Sequence, residues 1–382
     1  MLALSIAILL CTPATRAAAE PVDDAWAVAQ SRLMALVGPS SAPFGSTAGG
    51  PYRRTHANAW TAGFFPASLW LLYAHNHSTD VLAAARRYTD TQLGVAGWPG
   101  THDLGFMVGL PAGLALQYDP DPGRRGRYTA AIERAARTLA TRWNPRVRAL
   151  KSADYAGRWG VIIDSAMNAP LLINAGLLTG DKEGRRLIHR GTAHLVTLAR
   201  NLVRADGSTI HRMAFDPRTG RPLGPIPGQG LRTTSTWSRG QAWAVNGFTQ
   251  GFALTRDARL LDAARRTADF WIARVPPGTV PAWDLDVTDP AALRDASAAA
   301  IAADALGELG RIDPDPERAD RYSAYARSLL AALLTAPYVN ASNGSAGLLQ
   351  QQAYSVPLDA RPATNVWGDT FLLESLASIG RQ

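Results

Sequence analysis

Apolar residues recur at three- and four-residue spacing in twelve separate stretches, and this repetition constrains the fold more than any other feature. The stretches lie near 23–36, 60–76, 80–92, 103–118, 125–142, 165–178, 183–203, 238–255, 258–273, 295–309, 316–335 and 367–378. In 125–142, for example, Ile132, Ala135, Ala136 and Leu139 share one face, while Arg134 and Arg137 leave it. Clusters such as Pro120-Asp121-Pro122-Gly123 and Pro276-Pro277-Gly278 punctuate the pattern. Strand signal is weak, and no repeat of fixed length marks a solenoid. An all-α chain whose helical hairpins close into a ring, an α/α barrel, is therefore expected. Long connectors near 205–236, 275–293 and 336–366, rich in Gly, Pro and aromatics, are expected to build a wall over one mouth. No Ser/Gly linker divides the chain, so 20–382 reads as one domain.

The beginning reads differently. Leu2 to Leu10 form an apolar run too short to span a bilayer, followed by Ala17-Ala18-Ala19 as a small-residue cleavage site. The pattern predicts a signal peptide over 1–19 and an exported protein, periplasmic or secreted, with no membrane attachment after cleavage. Only the amino group of Met1 supplies charge before the apolar run. The single cysteine, Cys11, falls inside this segment, which excludes a disulfide framework and any Cys-based zinc cluster.

Several chemistries are excluded by motif. The chain has no HExxH, no GxxxxGK[ST], no GxSxG elbow and no GxGxxG after a strand. No metal site and no cofactor are expected. Its 39 basic and 31 acidic residues give a net +8, but these are spread along the chain without a nucleic-acid-binding motif. That balance suits a small anionic ligand, not nucleic acid. Eleven tryptophans suit either a large core or flat sugar rings.

Three segments combine acids, amides and aromatics. Asp103 follows His102 where the 103–118 helix begins, and Asp164 follows the apolar triplet Val161-Ile162-Ile163 in the same way. Either acid can serve as an N-cap or as a functional group. At matching ends of helices in one ring the two would face a shared mouth, where desolvation and repulsion would raise one pKa toward that of a general acid. The third segment is Thr236-Trp237-Ser238-Arg239-Gly240-Gln241-Ala242-Trp243. Arg239 and Trp243, four apart on a helix, would make either a carboxylate fork beside a stacking indole or a cation–π pair in the core.

Taken in order, these segments resemble the unsaturated glucuronyl hydrolases of glycoside hydrolase family 88. The matching stretches are Trp60-Thr61-Ala62-Gly63-Phe64-Phe65, His102-Asp103-Leu104-Gly105-Phe106, Ile163-Asp164-Ser165-Ala166-Met167-Asn168 and Gly207-Ser208-Thr209-Ile210-His211. Gln229-Gly230, the 237–243 stretch, Arg294-Asp295-Ala296-Ser297-Ala298 and Trp367-Gly368-Asp369 complete the series. The chain departs from the family at Gly228, where a histidine is expected. The resemblance implies an (α/α)6 six-hairpin barrel and release of a 4,5-unsaturated uronic acid from the non-reducing end of lyase-generated oligosaccharides. By the same resemblance Asp164 is the general acid and then the base that activates water, while Asp103 holds sugar hydroxyls and influences the charge on Asp164. Trp60, His102, His211, Gln229, Trp237, Arg239 and Trp243 are implied to bind substrate. Three rivals stay open at this point: the sister unsaturated rhamnogalacturonyl hydrolases, which share the barrel, an inverting α/α-barrel glycosidase using the same acids on saturated sugars, and a non-catalytic exported binding protein for acidic oligosaccharides.

Overall fold

The periodic stretches become twelve α-helices in the computed structural model, which describes residues 13–38, 41–47, 50–339 and 347–379. The first six are α1 (Pro13–Ala35), α2 (Phe64–Asn76), α3 (Thr79–Leu93), α4 (Leu110–Tyr118), α5 (Arg125–Ala140) and α6 (Ala169–Thr179). They are followed by α7 (Lys182–Asn201), α8 (Ser238–Thr255), α9 (Ala258–Arg274), α10 (Ala296–Ile312), α11 (Pro316–Leu333) and α12 (Val366–Ile379). The apolar run at 2–10 lies outside the described residues, and α1 runs through the expected cleavage point after Ala19.

Two kinds of helix follow from two kinds of sequence. Among the even-numbered helices, α2 and α10 are enclosed on all sides: α2 buries every residue from Phe64 to Tyr73, and α10 every residue from Ala296 to Ala303. A helix without a polar face must sit inside, surrounded by others. Helices α3, α5, α9 and α11 bury a single stripe, as α3 does with Val81, Ala84, Ala85 and Tyr88, and α7 does so until its last two turns. They pack outside, with α6 against α7, α8 against α9 and α10 against α11. The inner ring closes because α12 packs on α2. Asp181, Asp257, Asp295 and Asp315 cap α7, α9, α10 and α11 by accepting backbone N–H bonds.

Two expected helices start differently. The 103–118 stretch opens as a π-helical turn, Gly105–Gly109, before α4 begins. The 165–178 stretch opens as a 3-10 turn, Ile163–Met167, before α6. Such irregular turns re-aim side chains at a helix end and recur at functional sites.

Short strands, which the periodicity did not show, organise the mouth. β1 (Ala42–Thr47) lies between β2 (Arg53–Thr55) and the late strand Ala363–Asn365, joining the two ends of the chain. A small hairpin pairs β3 (Trp143–Asn144) with β4 (Ala149–Leu150). Beside it β5 (Ala153–Tyr155), β6 (Arg158–Ile162), β7 (Arg212–Phe215) and β8 (Pro222–Pro225) form an antiparallel sheet in that order. Strands of two to six residues leave too few alternations to be legible as period two.

Candidate active site

The β6–β7 register delivers the first acid. Ile162 lies opposite Arg212, and the Ile163 N–H donates to the His211 carbonyl at 2.9 Å. The chain then turns into Ile163–Met167, so Asp164 emerges beside the His211 ring, with Nε2 and Oδ2 3.5 Å apart. On the other side of that ring the Gln229 N–H donates to Nδ1 at 2.7 Å. Nδ1 is therefore the acceptor nitrogen, and Nε2 carries the proton that faces Asp164. Burial holds the His211 pKa below its usual value despite the neighbouring carboxylate, so the ring is neutral at physiological pH.

Asp164 keeps 15% of its side chain exposed. Burial pushes its pKa up, but the His211 N–H and the positive charge of Arg239 outweigh that and leave it below the ordinary carboxylate value. The expected raised pKa is thus corrected for the ligand-free protein. Repulsion by a second acid does not dominate here; a hydrogen-bond donor and a guanidinium do.

A relay behind Asp164 fixes its turn. The Leu150 N–H donates to His194 Nδ1 at 3.1 Å, and His194 Nε2 meets Ser165 Oγ at 2.9 Å. Ser165 Oγ in turn donates to the Ile162 carbonyl at 2.5 Å. Fully buried, His194 has its pKa pushed down to about 3 and stays neutral.

The second acid arrives with the π-helical turn. Thr101 Oγ1 donates to Asp103 Oδ2 at 2.8 Å, Asn168 Nδ2 donates to Oδ1 at 3.3 Å, and His102 Nε2 lies 3.6 Å from Oδ1. Asn168 also accepts the Phe106 N–H at 3.2 Å, so one amide ties the two acid-bearing turns together. The contact is close enough that a Cβ on Gly105 would lie 2.6 Å from Asn168 Oδ1, which makes glycine necessary there. Neither carboxylate caps the turn that follows it, so the capping alternative does not describe either acid.

Both acids open into one cavity of about 400 Å³. Of the expected site residues it also gathers Trp60, His102, Gln229 and Arg239. Trp60 forms its aromatic floor with Phe106, at a centroid distance of 5.9 Å, over Trp367 at 5.0 Å. His211 stands behind the lining, against Asp164, Gln229 and Gly228.

Two expected binding tryptophans stay out of the cavity. Trp243 is 1% exposed and packs beneath Phe106 and Phe371, with centroids 5.2 and 5.3 Å away. Trp237, 3% exposed, backs the wall between His211, 4.6 Å from its ring, and the Arg239 guanidinium, 4.5 Å away. Helical spacing placed Trp243 with Arg239, but the inner helix turns that face into the core.

Arg239 itself is largely spent. Its Nη atoms donate to Asp295 at 2.9 Å, to the Ala353 and Tyr354 carbonyls, and to Gln229 Oε1 at 3.3 Å. The expected free fork for a ligand carboxylate is therefore corrected to a framework cation that lends its field to the cavity. Sequence reading missed a second cation, Arg212, which stacks 4.5 Å over Tyr155 and spends one bond on the Pro227 carbonyl at 3.1 Å. Its position directly after His211 was the available signal. Tyr354, Ser355, Pro357 and Leu358 also line the cavity, from the long connector expected to wall the mouth. Gly228 lines it too, and a Cβ there would lie 2.2 Å from His211 Nδ1. The departure at Gly228 is thus required by the placement of His211 in this chain.

No family model matches the chain. It is 34% identical to an unsaturated glucuronyl hydrolase of Bacillus sp. (strain GL1) over 336 residues, covering 84% of this chain and 86% of that one. Among solved structures it resembles an unsaturated glucuronyl hydrolase specific for heparin, with a TM-score of 0.87, 28% identity and coverage of 95% and 97% of the two chains. It also resembles a Streptococcus agalactiae unsaturated glucuronyl hydrolase variant complexed with dGlcA-GalNAc6S, at a TM-score of 0.78, 27% identity and coverage of 94% and 91%.

Proposed function

The chain belongs to the unsaturated glucuronyl hydrolases, and from that premise we propose that it cleaves a 4,5-unsaturated uronic acid from the non-reducing end of acidic oligosaccharides, with Asp164 moving the proton. The observation that carries this reading is the convergence of Asp103 and Asp164, from separate turns, on one aromatic-floored cavity. Ordinary glycoside hydrolysis places two carboxylates about the anomeric carbon. Here the vinyl ether is hydrated instead: Asp164 gives a proton to C4, water adds at C5, and that water returns a proton to Asp164. The resulting hemiketal opens, releasing the remaining saccharide and an open-chain keto acid.

Asp164 must therefore hold a proton in the complex although its carboxyl is held low without ligand. The substrate supplies the difference. Its own carboxylate adds a negative charge beside Asp164 and displaces water, and both effects raise a carboxyl pKa. Neutral His211, with its Nε2–H toward Oδ2, orients Asp164 without taking its proton. Asp103, held by Thr101 and Asn168, keeps acceptor capacity for sugar hydroxyls. Trp60 offers its face to the half-planar ring, and Arg212 keeps Nη donors available for an acidic group. Export, directed by 1–19, completes the proposal.

Asp164→Asn tests the reading. A positioned general acid contributes about 10²–10⁴-fold, so turnover, followed as loss of the double bond's ultraviolet absorbance, should fall by at least ~100-fold while disaccharide binding survives. Near-native kcat in that variant would sink the assignment.

A further inference from the structure

Away from the mouth, α7 carries a second feature. Lys182, Arg185, Arg186 and Arg190 fall at i, i+3, i+4 and i+8 and so share one helix face, which runs ~12 Å at 1.5 Å per residue. The β3–β4 hairpin lies alongside and adds Trp143 and Arg148, enclosing a depression of about 490 Å³. Several arginines elsewhere on the surface meet acids, as in Arg265–Asp313, Arg86–Asp119 and Arg318–Asp269. Here the cations are gathered around one depression. Glu183 answers Arg186 at 3.2 Å, and Asp181 is engaged in capping the Gly184 N–H. Among the described residues no acid pairs with Lys182, Arg185, Arg190 or Arg148, and Arg185 reaches only the Gly180 carbonyl, at 3.4 Å.

We propose that this face binds a linear anionic polysaccharide, a chain bearing repeated carboxylate or sulfate groups, outside the catalytic cavity. Four unpaired cations on one concave surface focus positive potential, and the half-buried Trp143 gives a sugar ring an apolar surface. The hairpin also connects the face to the mouth. Arg142, beside Trp143, donates to the Pro99 carbonyl at 2.8 Å, a few residues before Asp103. A polymer held here keeps the enzyme beside the material from which its short substrates are cut. The choice of glycan over nucleic acid rests on the acidic-sugar reading of the active site; the charged surface itself does not.

The test uses the full chain on immobilised chondroitin sulfate with a salt gradient, compared with the triple variant K182Q/R185Q/R190Q. All three substitutions lie on the outer face of α7, so the melting temperature should hold. The wild type should be retained and the variant should elute at lower salt. If each lost contact released ~0.7 counterion, as for single-stranded polyanions, the log–log salt slope would fall by roughly 2. Hydrolysis of an unsaturated disaccharide should be unchanged. Wild-type flow-through, equal retention of both proteins, or competition by duplex DNA as effective as free chondroitin sulfate would overturn the proposal. Retention without turnover would leave the surface standing and sink the catalytic reading, whereas turnover without retention would do the reverse.

Discussion

Arg239→Ala should damage the fold before it damages affinity. The guanidinium is 1% exposed, pairs with Asp295 at 2.9 Å, and holds the Ala353 and Tyr354 carbonyls of the wall over the cavity. Removing it strands the Asp295 carboxylate, 0% exposed, with only the Ser297 side chain and backbone N–H groups of 297, 298 and 353 for company. Breaking a buried pair from one side costs about 3–5 kcal/mol. Unfolding entropy of about 2.1 cal/mol/K per residue, over 382 residues, amounts to about 0.8 kcal/mol/K, so a loss of 4 kcal/mol lowers Tm by about 5 °C. Asp295→Asn keeps an acceptor for the cap of α10 while removing the charge. The double variant R239A/D295N should then recover about 1–3 kcal/mol relative to additivity. Calorimetry on the four proteins measures this directly. An Arg239→Ala protein that melts with the wild type and shows only a raised KM would refute the reasoning and return the guanidinium to substrate binding.

Three further outcomes follow from the same contacts. Gly228→Ala should press a Cβ onto His211 Nδ1, cost about 1–3 kcal/mol of overpacking and lower kcat by disturbing the Gln229–His211–Asp164 line; ordinary kcat and Tm would count against it. His194, with a folded pKa of about 3 against about 6.5 unfolded, favours the fold only while neutral. Its contribution is complete above pH ~6.5 and lost as pH falls toward 3, at up to about 1.4 kcal/mol per unit. Guanidinium midpoints at pH 7 and pH 5 should therefore separate more in the wild type than in His194→Gln, and equal separation would discard the role. Mass spectrometry of protein from the native host should find an N-terminus at Glu20, and an intact Met1 would remove the export proposal.

The helical architecture was legible because it depends on local periodicity: each of the twelve apolar stretches became a helix, most within a few residues of the expected bounds, although α1 begins ten residues earlier than expected, at Pro13, and α4 seven residues later, at Leu110. Ring closure was expected from the number of helical stretches and the weakness of strand signal, both read along the chain, and the packing of α12 on α2 supplies it. The two acids were legible as acids at helix starts, since Asp103 and Asp164 each precede a regular apolar pattern. Their environment was not. A carboxyl's pKa is set by whatever stands within a few ångströms of it, and His211 and Arg239 act on Asp164 from 47 and 75 residues away, with Gln229, 65 away, bonded to both. The short strands β6 and β7 that bring His211 there carry too few residues to leave a period. Trp243 shows the converse: its spacing from Arg239 was read correctly, but only the packing of α8 against its neighbours decided that this face points into the core. Local order came from the sequence alone; charge, exposure and direction were decided by tertiary packing, because those quantities depend on distances between segments that the chain brings together only when it folds.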